Sequence, residues 1–264
     1  MKLFAEAARC FLLSDPATKC LAVSELHGAV CSGGFQVDAN TPVPPVDKPG
    51  RPQLPELTNP ARVPRRRLGA AAGRVALVHA IAHIEFNAIN LALDAACRFR
   101  NMPESYYCDW VSVAADEARH FSLLTRRLAE LGASYGDFTA HNGLWEMAER
   151  TADSCLVRMA LVPRVLEARG LDVTPGLMRR LKQVGDFETI AILEIILAEE
   201  IHHVAIGSRW FNYCCEREGK SPGPTFLELL ETHYGGTVRG PFNTAARLAS
   251  GFTKEEMKYL EAKS

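Results

Sequence analysis

The chain has 264 residues, 47% of them hydrophobic and 23% charged, and its 30 Lys and Arg against 31 Asp and Glu leave a formal net charge of −1. Such proportions belong to a globular protein with a sizeable core. They exclude a strongly basic nucleic-acid binder and an acidic disordered chain. The uncharged stretches fall short of the ~18 residues of a membrane span. Glu6 and Arg9 stand where the apolar core of a signal peptide would lie, so a cytoplasmic protein without a membrane association is expected.

The eight cysteines, at 10, 20, 31, 97, 108, 155, 214 and 215, form no CxxC pair. They read as reduced thiols, several of them on core faces, and the vicinal Cys214 and Cys215 as residues near a helix end.

Residues 3–31 read as one or two helices. Eight of the 15 prolines then fall between Pro42 and Pro64, a density of missing donors that no helix or central strand tolerates. That stretch predicts an extended arm or linker on the surface, ending in the basic cluster Arg65, Arg66 and Arg67. No period of 20–50 residues recurs, which excludes a solenoid.

Four long helices are predicted beyond the arm, over about 73–100, 103–131, 143–169 and 186–218. Pro163 should kink the third and Gly170 end it. Thr174 and Pro175 should cap and open a short separate helix. A tail with RGPFN, SGF and a short Lys/Glu-rich helix closes the chain. The domain reading is N-terminal helices and arm over 1–72 and a helical bundle with its C-terminal tail over 73–264, packed as one unit.

At about 100° per residue, the first long helix gathers His79, His83, Asn87, Asn90 and Asp94 on a polar face. Its apolar face, with Val78, Ile81, Ala88, Ile89 and Ala92, contains Glu85. The second helix repeats the anomaly: its dry face of Trp110, Val113, Ala114, Phe121 and Leu124 also carries Glu117 and His120. A lone buried carboxylate costs several kcal/mol unless it is paired. Two such helices ask for a shared cation.

The fourth helix offers EEIHH, with two overlapping ExxH choices. Glu200 and His203 share a face with Leu193, Ile196, Val204 and Phe211, whereas His202 points with Glu194 and Arg209. Glu200 and His203 are therefore the core pair, and Glu199 and His202 lie at the rim. The third helix should supply one more carboxylate, with Glu149 and Glu146 as alternatives to Glu167. Spacing favours Glu167, because Glu85 to Glu117 is 32 residues and Glu167 to Glu200 is 33.

A Glu from each of two helices plus an ExxH pair from each of the other two is the ligand set of di-iron and di-manganese carboxylate bundles. Carboxylate and imidazole suit iron and manganese, whereas a soft metal would recruit the cysteines. The i, i+3 spacing puts Glu and His one turn apart on one side of a helix. Two iron ions, or manganese in their place, are the expected cofactors.

The strings HAIAHIEFNAINLALDAACRFRNMP, DEARHF, YGDFTAHNGLWE, EARGLDVTPG, HHVAIGSRWF and RGPFN resemble the ferritin-like domain-of-unknown-function family numbered 455. The likeness runs from about Leu3 to Phe252. It implies an all-α, ferritin-like four-helix bundle preceded by an N-terminal helical segment and the proline-rich arm, and followed by a C-terminal extension. It also supports Glu85, Glu117, His120, Glu167, Glu200 and His203 as metal ligands. His202 and Glu199 depart from the expected Gly and Asp.

A site of this kind predicts a di-iron oxidoreductase of the hydroxylase or oxygenase type, served by an external electron donor. Its substrate is either a small molecule or a tRNA-like nucleic acid, with Arg65, Arg66 and Arg67 as phosphate contacts in the second case. Tyr106 and Trp110 are candidates for a substrate wall, although core packing is their simpler role. Ferritin-like metal storage, a catalase-type dimanganese centre and a metal-stabilised scaffold are the competing readings.

Overall fold

Helix starts are written into this chain by short polar side chains. The Asp15 carboxylate accepts from the Thr18 N–H at 2.8 Å, and Pro16 follows it at the first helical position. The structure, a computed structural model, describes residues 1–44, 47–62, 67–235 and 238–264. It is all-α, with only the isolated bridges Lys2–Gln36 and Leu57–Ala140 among the described residues. The elements group into two compact units, Met1–Glu146 and Met147–Ser264.

The first unit holds α1 (Leu3–Leu12), α2 (Pro16–Cys31), α3 (Ala71–Arg98), α4 (Glu104–Glu130) and the start of α5 (Gly143–Arg150). α3 packs against α4 along its length, and α1 and α2 cover this pair. The boundaries of α3 and α4 lie within two residues of those expected.

The polar face of α3 is not a wet one. His79, His83, Asn87, Asn90 and Asp94 are all buried, and each is held by a partner. His79 Nε2 accepts from the Gly136 N–H at 2.9 Å, Asp94 pairs with Arg98 at 2.8 Å, and Asn90 Oδ1 accepts from Lys19 Nζ. A solvated stripe carries Lys and Glu; histidine and asparagine at helical spacing instead mark a buried hydrogen-bonded seam.

α3 is thus buried on both faces, as the core helix of its unit. By length and apolar composition it also meets the threshold for crossing a membrane, counter to the expectation, although 72% of its most apolar stretch is buried inside the protein.

The described part of the arm forms no α-helix and no strand, only a 3₁₀ turn at Pro60–Arg62 and the Leu57–Ala140 bridge. It does not hang free. Lys19 Nζ donates to Gly50 O at 2.8 Å and to Phe11 O at 3.0 Å, tying the arm to α1, α2 and α3 at one buried point. A Cβ at Gly50 would lie 2.1 Å from Leu12 O, so only glycine fits that crossing.

The second unit corrects the third helix. α5 ends at Arg150, and Ser154 caps a new helix, its Oγ accepting from the Val157 N–H at 3.3 Å. α6 (Cys155–Leu161) runs through a π-turn (Val162–Glu167) into α7 (Ala168–Gln183) without a break at Gly170, and Pro175 lies inside α7. The proline ring at 163 removes a helical donor, and the chain widens to π geometry there. At Pro175 the carbonyl left without its i+4 donor is that of Leu171, and Asn243 Nδ2 donates to it at 3.2 Å. A residue 72 positions away thus rescues the helix.

α8 (Phe187–Arg217) packs against α6, the π-turn and α7, and α9 (Pro222–Tyr234), α10 (Thr244–Ala249) and α11 (Lys254–Ala262) complete the unit. The tail is fastened by two buried ion pairs. Arg247 grips Asp172 with bonds of 3.0 and 2.8 Å, and Arg164 grips Glu256 with bonds of 2.9 and 2.8 Å. The Arg164 guanidinium also lies 4.2–4.8 Å from the rings of Phe211, Phe226 and Phe252.

Candidate metal centre

In the first unit, α3 presents Glu85 and α4 presents Glu117 and His120, one turn apart. All three are buried, at 4%, 1% and 0% exposure. One ligand atom from each lies within 4.8 Å of the others. His120 Nδ1 is 3.3 Å from Glu85 Oε2 and 3.3 Å from Glu117 Oε2. Periodicity alone put these groups on the dry faces, and close packing of α3 on α4 turns the two faces toward each other.

The electrostatics express a shortage of positive charge. Burial raises the Glu85 carboxyl above the usual carboxylate range, and the neighbouring Glu117 charge raises it further. Burial pulls the His120 imidazole down, but its hydrogen bonds to Glu117 and Glu85 and their charges outweigh this and raise it overall. Such a cluster holds protons at neutral pH that water-exposed groups would have released. These oxygens and this nitrogen could hold a metal ion, and carboxylate with imidazole is a donor set that suits iron or manganese.

In the second unit, α8 buries Glu200 and His203, with Glu200 Oε1 3.5 Å from His203 Nδ1. Glu200 Oε2 is shielded from solvent and accepts no hydrogen bond among the described residues. Glu199 is half-buried and His202 exposed, so the register chosen from periodicity is the one that faces inward. Glu167 is the last residue of the π-turn, half-buried, with Oε2 shielded from water. Glu146 and Glu149 are both exposed on α5. Of the three carboxylates considered for the third helix, Glu167 alone is withdrawn from solvent.

Tyr106 and Trp110 are core residues: the Tyr106 hydroxyl donates to Ala95 O at 3.2 Å, and the two rings pack 6.3 Å apart. The Trp110 side chain is buried, at 2% exposure. Arg65 and Arg66 lie outside the described residues, and Arg67 is exposed. All eight cysteines are free thiols; Cys214 is hydrogen-bonded to Cys155, which raises its pKa, as does its burial.

Sequence reasoning missed a cleft between the arm and α3, lined by Arg51, His83, Asn87, Asn90, Tyr135 and Asn142. His83 Nε2 donates to His141 O at 3.1 Å, so Nδ1 is the acceptor, and the Tyr135 hydroxyl donates to it at 2.9 Å. Burial lowers the His83 pKa to about 4, which keeps this ring neutral. The available signal was the His/Asn make-up of the α3 stripe.

A family described as "Protein of unknown function (DUF455)" matches residues 12–258. A relative from Haemophilus influenzae, named "Uncharacterized protein", is 48% identical over 216 residues, covering 79% of this chain and 75% of its own. No solved structure matches the chain.

Proposed function

The chain belongs to the DUF455 family, and on that premise we propose that it is a non-haem di-iron oxidoreductase of the hydroxylase or oxygenase type, built as a ferritin-like four-helix bundle. The observation that carries the reading is the buried cluster of Glu85, Glu117 and His120. The proposed ligand set adds Glu167, Glu200 and His203. Four carboxylates and two neutral imidazoles balance two divalent ions, so a buried centre ends near neutrality.

Two iron ions held there would supply the electrons that reduce O2, and an external donor would restore them. The chain's own residues do the remaining work. Glu85 and Glu117 would supply carboxylate oxygens to the metal, giving up held protons as it binds, and their burial keeps bulk water from the site. His120 sits between two carboxylates, which fix the direction of its ring. The proposed substrate is a small organic molecule, since a net charge of −1 gives little attraction for a polyanion.

Elemental analysis of the purified protein, followed by O2 uptake after reduction, tests this reading. Two irons per chain with O2 uptake support it, and tRNA dependence of that uptake would replace the small-molecule substrate with a nucleic acid. Two manganese ions with peroxide decomposition would replace the oxygenase with a catalase-type centre. Stoichiometric metal without turnover would leave a storage or scaffold role.

A further inference from the structure

Among the described glycines of the second unit, Gly207 has the least room for a side chain. A Cβ at Gly207 of α8 would lie 2.3 Å from Pro163 Cβ and 2.4 Å from Pro163 Cγ. Real side-chain carbons do not approach so closely, and a proline ring cannot swing aside as a long flexible side chain would. The ring of Pro163 therefore rests in a hollow that exists only because residue 207 has no side chain.

This contact has a fixed relation to the proposed ligands. α7 and α8 are joined by a short turn centred on Gly185, in the left-handed conformation at φ 74°, so the helices run antiparallel. Pro163 and Gly207 are each 22 residues from Gly185, and Glu167 and His203 are each 18. In an antiparallel pair, positions equidistant from the turn lie at one level. Glu167 is one turn beyond Pro163 and His203 one turn before Gly207, so the ring-in-hollow contact lies one turn from the level they share. The π-turn that begins at Val162 and ends at Glu167 is anchored by the same ring.

We propose that Pro163 and Gly207 are a positioning pair: the proline ring seated on the bare Gly207 backbone sets the spacing of the π-turn from α8, and so the distance of Glu167 from the Glu200–His203 pair. The pair touches no metal and acts through Glu167. The inference rests on the ligand reading given under the proposed function.

The test uses the full-length chain with Gly207→Ala and with the exchange Pro163→Gly/Gly207→Ala, which moves the missing bulk from one helix to the other. Ferrous or cobaltous ion alone is the probe, read by bound metal per chain and by the visible spectrum of the cobalt form. Gly207→Ala should fold to the same helical content, weaken binding of one of the two ions at least tenfold and change the cobalt spectrum, and the exchange should recover most of both losses. Unchanged affinity and spectrum in a folded Gly207→Ala protein would overturn the proposal, as would a folded exchange variant that recovers nothing. Crystal structures of the metal-free proteins read the spacing without any metal. Gly207→Ala should move Glu167 away from His203 by roughly 1 Å, the shortfall from ordinary carbon contact, and the exchange should restore it. If the wild-type chain takes up no metal, the ligand reading fails. The metal-free spacing then still decides the pair, with no movement of Glu167 counting against it.

Discussion

At the residue scale, the chain uses burial to choose protonation states, and His83 shows the consequence most cleanly. Its folded pKa is lowered to about 4 by burial, against about 6.5 for an exposed imidazole. Below pH 6.5 the unfolded chain takes up a proton that the folded chain refuses, so stability is full above that pH and falls toward pH 4. The shift is worth up to about 3 kcal/mol. Denaturant unfolding of the wild type and His83→Gln at pH 7 and pH 4 should show the stability gap between them narrowing by that order in acid. A gap independent of pH would mean that His83 is not held neutral. The inward-facing register was legible for a similar reason: Glu200 and His203 face inward because their neighbours at helical spacing are apolar, while His202 falls among Glu194 and Arg209 and is exposed.

At the element scale, long-range contacts decide what local signals could not. The boundaries of α3, α4 and α8 could be read because each is a long helical run with no proline inside it. The third helix could not, because Gly170 and Pro175 are local breakers whose cost is met from afar, by Asn243 at the Leu171 carbonyl. The burial of the polar face of α3 was not legible for the same reason, since its cover comes from the arm and the 133–142 loop. Lys19 is the central tie of that cover, its ammonium pushed down to a pKa of about 7 by burial. Lys19→Met should strand the Phe11 and Gly50 carbonyls and the Asn90 amide oxygen, at about 2–4 kcal/mol, read from the urea midpoint at constant slope. An unchanged midpoint would show that the arm is not tied there. Glu256→Ala should cost about 3–5 kcal/mol by leaving the Arg164 charge buried and uncompensated. A much smaller loss of thermal stability in that variant would mean that the aromatic rings alone support the guanidinium.

At the scale of the whole molecule, near-neutral composition conceals the feature that matters. By the proposed reading, four of the 31 acidic residues are not surface charge, and two divalent ions would take the formal charge from −1 to +3. The metal-free cluster at Glu85, Glu117 and His120 offsets part of this difference by holding protons, so loading with ferrous ion at pH 7 should release protons into a weakly buffered solution. Metal uptake without proton release would place the ion elsewhere. The composition alone established class and size, and the faces of the helices located the cluster.

Metal content per chain, compared between the wild type, Glu117→Ala and His203→Ala after equal loading with ferrous ion, tests the central claim most directly. The ligand reading predicts two ions in the wild type, with occupancy and thermal stability falling together in both variants. Full metal content in either folded variant would contradict it.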